Sequence, residues 1–372
     1  MLEAINSRLK QRLSIQEKQR HLRSLKPPLE GVDFASNDYL GLSKLEAQGT
    51  PHSLLRGATG SRLLSGNSIK AQQMEALLAQ EFKCEAALLF NSGYALNSGI
   101  LQAVATKGDV VLIDEFAHAS LKNGLKLCQA DCYYFRHNKL DHLEARLKRL
   151  LPLAKGNQCF VIVESVYSMD GDLCPLAELS QLCEAYDCAL ICDEAHGLGT
   201  IGSKGEGLVG MLNLEEKVFA RILTFGKAVG SHGAALLGSS LLMETMINFC
   251  HSFIYTTALP EHSLHTLEEN LKEYLGNQSL VAKLQKNIAF MNKVLGSTGH
   301  QSPIYSIRFG NLGLLENAHR ELEKLGMTIY PIYSPTVKKG SERLRVVVHA
   351  FNTEAEMITL GKVLKRYEAS VQ

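Results

Sequence analysis

No run of the 372 residues approaches the roughly 18 uninterrupted apolar positions of a membrane-spanning helix, so no membrane partner is expected. The opening stretch, MLEAINSRLKQRLSIQEKQR, has no apolar centre of the signal-peptide kind. Nine cysteines are scattered without a disulfide-framework spacing, and no C-x-x-C occurs. That usage suits a reducing compartment, and the expected location is cytoplasmic. Charge of either sign is not in excess: 39 basic side chains face 38 acidic ones. A nucleic-acid protein usually carries a basic surplus or face. The one basic-rich stretch, KQRHLRSLK, reads as part of an amphipathic N-terminal helix, and no nucleic-acid partner is expected. Internal repeats and low-complexity tracts are absent too.

What remains is an ordinary globular composition, 45% apolar and 21% charged, at a length that suits about two domains. A glycine- and serine-rich segment, RGATGSRLLSGNS, precedes a helical pattern in IKAQQMEALLAQEFK. Short apolar runs then recur: AALLFN, DVVLID, CFVIVE, CALICD, ARILTF and AALLGSS. Most lack polar alternation, as expected of strands covered on both faces. Helical segments such as NSGILQAVATK and LAELSQLCEAYD lie between them, which predicts an α/β domain with a mainly parallel sheet. Ligands of such sheets collect at the carboxyl ends of the strands. Asn91, Glu164, Asp193 and Thr224 all fall at or just past such ends. Beyond about residue 260 a long connecting helix, strand-like SPIYSIRF, TIYPIY and ERLRVVVHA, and a final helix predict a smaller α+β domain. The expected division is an N-terminal helical segment 1–36, a large domain 37–260 and a small domain 261–372.

The stretch LICDEAHGLG admits three readings. Asp193-Glu194-Ala195-His196 spells a helicase box. A helicase needs a phosphate-binding loop, G-x-x-x-x-G-K-[ST]. In TFGKAV the earlier glycine is replaced by Arg221 and the hydroxyl residue by Ala228. Cys188, Cys192 and His196 could instead hold a metal. Strand residues four apart lie about 13 Å apart, too far to share an ion, so no metal site is expected. The third reading is a strand that delivers Asp193 and His196 to an organic cofactor. Lys227 follows another buried strand, between Gly226 and Gly230, where burial would favour a neutral, nucleophilic amine. NSGYALNSG sets small residues at a strand-to-helix turn, a suitable cradle for a phosphate.

Those motifs, with FASNDYLGLS, GATGSRLLSGN, DEFAHASL, ESVYSMDGDLCPL, FIYTTALP and SPTVKKGSERLRVVVHAFNT, span almost the whole chain. In that order they resemble the α-oxoamine synthases, pyridoxal-phosphate enzymes of the aspartate-aminotransferase fold type (fold type I). The resemblance implies a homodimer with the active site at its interface. It implies that Lys227 bonds the cofactor aldehyde and serves as the base at the substrate Cα. Asp193 would pair with the pyridinium nitrogen, His196 with the phenolic oxygen, and His118 would stack on the ring. Ser92, Gly93, Tyr94 and Thr224 would lie toward the phosphate, and Glu164 and Ser168 beside the cofactor. Thr256 or Thr257 would reach the phosphate of the other subunit. For the substrate carboxylate the candidates are Asn37, Arg20 or Arg23, and Arg345. Arg343 shares a strand face with Arg345, and the family pattern favours the second. A histidine common in the family is replaced by Asn352. The implied reaction is a decarboxylative condensation of an amino acid with an acyl thioester of CoA or a carrier protein. The nearest branch joins L-alanine to a pimeloyl group in biotin synthesis. Branches that use glycine or serine are the alternatives.

Overall fold

The computed structural model describes residues 2–18, 22, 31–45, 57–153 and 157–369. Helix α1 (Leu2–Lys18) and a short strand β1 (Val32–Asp33) come first. Then α2 (Ile69–Glu81) leads into β2 (Ala86–Phe90), α3 (Gly93–Val104), β3 (Val110–Asp114), α4 (Ala119–Leu125), β4 (Asp131–Phe135) and α5 (Leu140–Leu150). The alternation continues through β5 (Cys159–Glu164), α6 (Leu176–Ala185), β6 (Cys188–Asp193), α7 (Gly207–Met211), β7 (Ala220–Thr224) and β8 (Ala234–Gly238).

Strands β2 to β8 form one sheet in the order β2-β8-β7-β6-β5-β3-β4. Only β8 is reversed; it runs antiparallel to both β2 and β7. The six apolar runs of the sequence are strands of this sheet. The seventh, β4, is an edge strand whose half-exposed DCYYF pattern carries no apolar run, which is why periodicity passes over it. In the central strands successive residues serve opposite faces. Leu112, Val161, Val163, Leu190, Cys192 and Leu223 join one core cluster. Val111, Ile113, Phe160, Ile162, Ile191 and Ile222 join the other, with α3 and α8 (Ser240–Phe249) packed on them. Because every strand but β8 runs one way, their carboxyl ends share one edge. Strand β8 begins at that edge.

After α9 (His251–Ile254), the long helical pattern is two helices, α10 (Glu261–Gly276) and α11 (Gln278–Leu295). Asn277 stands between them, and its side chain accepts from Ser279 N. Leu264, Leu267 and Leu271 of α10 pack into the large-sheet core. Met291 of α11 packs with Phe34, Ile307, Val346 and Leu360 in a separate core. That core is built on β9 (Ile304–Ile307), α12 (Leu312–Lys324), β10 (Met327–Thr328), β11 (Tyr330–Ile332), β12 (Arg343–Val347) and α13 (Glu354–Ala369). Strands β11, β12 and β9 are antiparallel, and β1 pairs with β10.

Residues 33–39 are laced onto the end of β12. Val347 N donates to Phe34 O and Ala350 N to Tyr39 O, each at 2.8 Å. Asn352, where the family resemblance leads one to expect histidine, has a structural task here. Its Oδ1 accepts from His349 N (2.7 Å) and its Nδ2 donates to Asp33 O (3.0 Å).

Within the DEAH stretch, Glu194 is also structural. It is fully buried and accepts from Leu208 N, Val209 N and Arg221 Nε. Removing one partner of a buried ion pair strands the other charge, at a cost of about 3–5 kcal/mol, whereas removing both is often far cheaper. Arg221→Met should therefore lower the denaturation midpoint in urea sharply. Adding Glu194→Gln to it should recover most of the loss. Equal midpoints for the single variant and wild type would refute this account of the pair.

Candidate active site

A cavity of about 310 Å³ opens at the carboxyl edge of the large sheet. Residues from the ends of β2, β5, β6 and β7 line it, joined by the turns before α3 and α4. At the first corner Ser92 caps α3, its Oγ accepting from Ala95 N at 3.1 Å. The first-turn N–H groups of a helix have no intrahelical acceptor, and the helix dipole favours an anion there. Gly93 is required at this corner: a Cβ on it would lie 2.5 Å from Thr224 Cγ2.

Two carboxylates form the floor. Glu164 and Asp193 are register partners on β5 and β6, and both are buried. Asp193 Oδ1 accepts from Ala195 N (2.8 Å) and Oδ2 from Asn97 Nδ2 (2.7 Å). Glu164 accepts from His118 N. Burial, with the Asp193 charge beside it, pushes the Glu164 carboxyl up to about 8. His118 caps α4, with Nδ1 2.7 Å from Ser120 Oγ. Burial and the nearby Lys227 lower its pKa.

Lys227 stands on the turn between β7 and β8. Gly230 closes that turn: its N–H donates to Lys227 O (2.8 Å), its φ is +61°, and a Cβ would lie 2.3 Å from Ser43 N. From Lys227 a polar chain runs inward. Lys227 Nζ lies 2.9 Å from His196 Nε2, and His196 Nδ1 lies 2.6 Å from the Tyr39 hydroxyl. Tyr39 OH also lies 3.2 Å from Asn37 Oδ1, which accepts from Arg345 Nη2 at 2.9 Å. Burial holds Lys227 down at about 8, with Arg345 acting the same way and Asp193 and Glu164 opposing. Burial and Lys227 keep His196 well below the usual imidazole range, so its ring is neutral. Burial raises Tyr39 to about 12, so its hydroxyl keeps its proton.

Of the residues singled out in the sequence, Ser92, Gly93, Tyr94, His118, Glu164, Asp193, His196, Thr224 and Lys227 meet around this cavity. Asn37 and Arg345 reach it through Tyr39. Ser168 lines a second, larger cavity, and its carbonyl accepts from Arg345 Nε at 2.6 Å. Thr256 and Thr257 do not line the first cavity. They bond the side chain of Asn91, just past β2. Arg20 and Arg23 lie outside the described residues. The two arginines of β12, alike in spacing, differ in partners. Arg343 is paired with Asp170, while Arg345 has no carboxylate partner among the described residues. Sequence reading missed Tyr39, Asn97, Ser120 and His232. Asn97 lies one helical turn past Gly93, on the face of α3 that meets the cavity. That spacing is the one signal that could have found it.

These groups fit pyridoxal phosphate. There is an amine with a lowered pKa at Lys227, a buried carboxylate at Asp193 and a helix N-terminus at Ser92–Tyr94. The Oδ1 of Asn97, beside Asp193, is a buried acceptor with no partner among the described residues.

Comparison with known proteins agrees. The model of the aminotransferase class I and II family matches residues 30–364. An 8-amino-7-oxononanoate synthase of Emericella nidulans is 36% identical over 92% of this chain and 91% of its own. One of Chlorobaculum parvum is 35% identical over 86% of this chain and 85% of its own. Among solved structures, the 8-amino-7-oxononanoate synthase of Francisella tularensis superposes with a TM-score of 0.76 at 26% identity, over 91% of this chain and 98% of that one. A serine palmitoyltransferase of S. paucimobilis with bound PLP and myriocin superposes at 0.83 and 25% identity, over 94% and 92%.

The lowered Lys227 pKa has a direct readout. In the cofactor-free protein, competitive acetylation of Lys227 followed across pH should show a midpoint near about 8, against the ordinary lysine value of about 10.4 for solvated side chains. A midpoint for Lys227 equal to that of the surface lysines would refute the electrostatic account of the site.

Proposed function

Because the chain belongs to the aminotransferase class I and II family and is a pyridoxal-phosphate acyltransferase of the α-oxoamine synthase kind, we propose that it joins L-alanine to a pimeloyl thioester. The products would be 8-amino-7-oxononanoate, carbon dioxide, and CoA or the thiol of a carrier protein. The names of the relatives support this choice of substrates, and the observation that carries its amino-acid half is the polar chain from Lys227 to Arg345. It sets an amine that can lose its proton near pH 8 at one end, and at the other a guanidinium with no carboxylate partner among the described residues. An α-amino acid presents the matching pair of groups, a Cα proton and a carboxylate.

When bound, the cofactor supplies an electron-accepting ring that stabilises a carbanion at the substrate Cα. The protein's own residues do the rest. Asp193, held by Asn97 and Ala195 N, keeps a negative charge at the floor, where it would hold the ring nitrogen protonated. Lys227 Nζ would hold the cofactor and then take the Cα proton, worth about 10²–10⁴ in rate for a positioned base. Neutral His196, fixed by Tyr39, would donate toward the cofactor's phenolic oxygen, and His118 would cover the ring face. The N–H groups of Gly93 and Tyr94 would hold the phosphate, with Thr224 beside them. Arg345 and Asn37 would grip the substrate carboxylate, bidentately if the guanidinium turns its free edge inward. Glu164 and Ser168 would sit beside the cofactor.

The dimer belongs to the same proposal. Tyr94, on the cavity rim, is 53% exposed and Tyr255, next to Thr256, is 79% exposed. A partner subunit over this rim would bury both and bring its Thr256 or Thr257 to the phosphate. No helix among the described residues is long and apolar enough to cross a membrane, and we place the enzyme in the cytoplasm. One observation favours a second reading. The serine palmitoyltransferase backbone superposes better than the oxononanoate synthase one, 0.83 against 0.76. In that reading the amino acid is serine and the acyl chain is long.

Turnover with L-alanine and pimeloyl-CoA, followed as free-thiol release, tests the proposal against L-serine with palmitoyl-CoA and glycine with acetyl-CoA. Alanine and pimeloyl-CoA should give the highest kcat/KM; a clear preference for either other pair replaces the reading. Lys227→Ala should remove the visible absorption of the lysine-bound cofactor and lower turnover at least about a hundredfold, the low end for a lost general base. Unchanged turnover in that variant would refute the role of Lys227.

A further inference from the structure

The second cavity, about 870 Å³, meets the first at His118, which lines both. Phe116, Ala117, Ala119 and Met169 give it an apolar lining, and Lys338 Nζ lies 5.9 Å from the Phe116 ring centre. The same cavity also carries charge. Lys122, Arg308, Lys338 and Arg343 line it against two carboxylates, Glu115 and Asp170. Arg343 and Arg308 converge on one oxygen, Asp170 Oδ1. A single carboxylate balances one guanidinium, so one positive charge is left over at this point. Arg343 is the settled member: it is buried, and its Nε also donates to Ser341 O at 2.9 Å. Arg308 is the available one. Its side chain is 54% exposed and holds Asp170 through a single 2.8 Å contact from Nη2, leaving four N–H groups for a further acceptor. Lys122 is spent differently, donating to the Glu115 carbonyl at 2.6 Å.

A cavity that meets the amine site and combines apolar lining with a surplus of positive charge is the complement of an acyl donor that carries an anion. We propose that Arg308, together with Lys338 in the same cavity, binds a negatively charged group of the acyl donor and thereby sets which donor is used. This rests on the acyl-transfer reading of the site. The shared chemistry is an anionic oxygen group. It has two sources on such a donor: a carboxylate at the far end of the acyl chain, or the phosphates of the CoA carrier.

The test compares wild type with Arg308→Gln, an exposed position where the fold tolerates the change, on three donors. Pimeloyl-CoA carries both anions, heptanoyl-CoA lacks the carboxylate, and the pimeloyl thioester of N-acetylcysteamine lacks the phosphates. If Arg308 reads the carboxylate, the preference for pimeloyl-CoA over heptanoyl-CoA falls about ten- to a hundredfold in the variant, the range of a hydrogen bond to a charged group. If it reads phosphate, the preference for pimeloyl-CoA over the cysteamine thioester falls instead. Arg308→Lys should restore part of whichever preference is lost. Both preferences unchanged overturn the proposal. A parallel titration of the holoenzyme with free CoA and with pimelate measures binding without turnover. If wild type uses none of the three donors, the proposed reaction fails on its own. The titration then still decides this inference, and equal affinities of wild type and Arg308→Gln for both probes overturn it.

Discussion

The site is organised around a conflict between two buried carboxylates. Register on adjacent parallel strands sets Glu164 against Asp193, with no room for either to leave. Two unscreened charges at that spacing are costly, so the environment selects one. Asp193 receives an amide side chain and a backbone N–H; Glu164 receives one backbone N–H. Burial, with the Asp193 charge beside it, drives Glu164 toward its acid form. One fixed negative charge on the floor is what lets a lysine, a neutral imidazole and a guanidinium share so small a volume. Burial drives the Lys227 pKa down and Arg345 adds to it, while the Asp193 charge opposes them.

Much of this is legible in the sequence because it is local. Six apolar runs become six strands, and residues at their ends supply most of the cavity. The helicase box fails on a missing phosphate loop, a purely local deficit, and in the fold its Glu194 has a partner in Arg221 instead. What stays hidden depends on distant chain segments meeting. Tyr39 is joined to His196 only because residues 33–39 are laced to β12. Arg343 and Arg345 have equal claims by spacing; the loop after β5 separates them by bringing Asp170 to one and the Ser168 carbonyl to the other. Strand β4 escapes because an edge strand need not be apolar. The long helical pattern hides its break because Asn277, a weak interruption in sequence, is a side-chain cap in the fold.

The smaller unit is thus more than an appendage. Its core is sealed by β1 and Phe34 from the far end of the chain, and the same lacing holds Asn37 beside Arg345. A shift of this unit against the large sheet would separate Arg345 and Asn37 from the Lys227 amine. The spacing of these side chains and the packing of the two cores are therefore mechanically linked.

The reversal of β8 pins the backbone that carries the Lys227 amine. Lys227 sits on a hairpin whose two legs are both paired into the sheet, and Phe225 and Gly233 close it by a further backbone bond. The peptide that carries the amine has nowhere to go. In the role proposed for it, Lys227 would reposition its amine by side-chain torsions alone, with the backbone beneath it held by the sheet. Any larger rearrangement around the cavity has to come from the elements that face the hairpin and not from the hairpin itself.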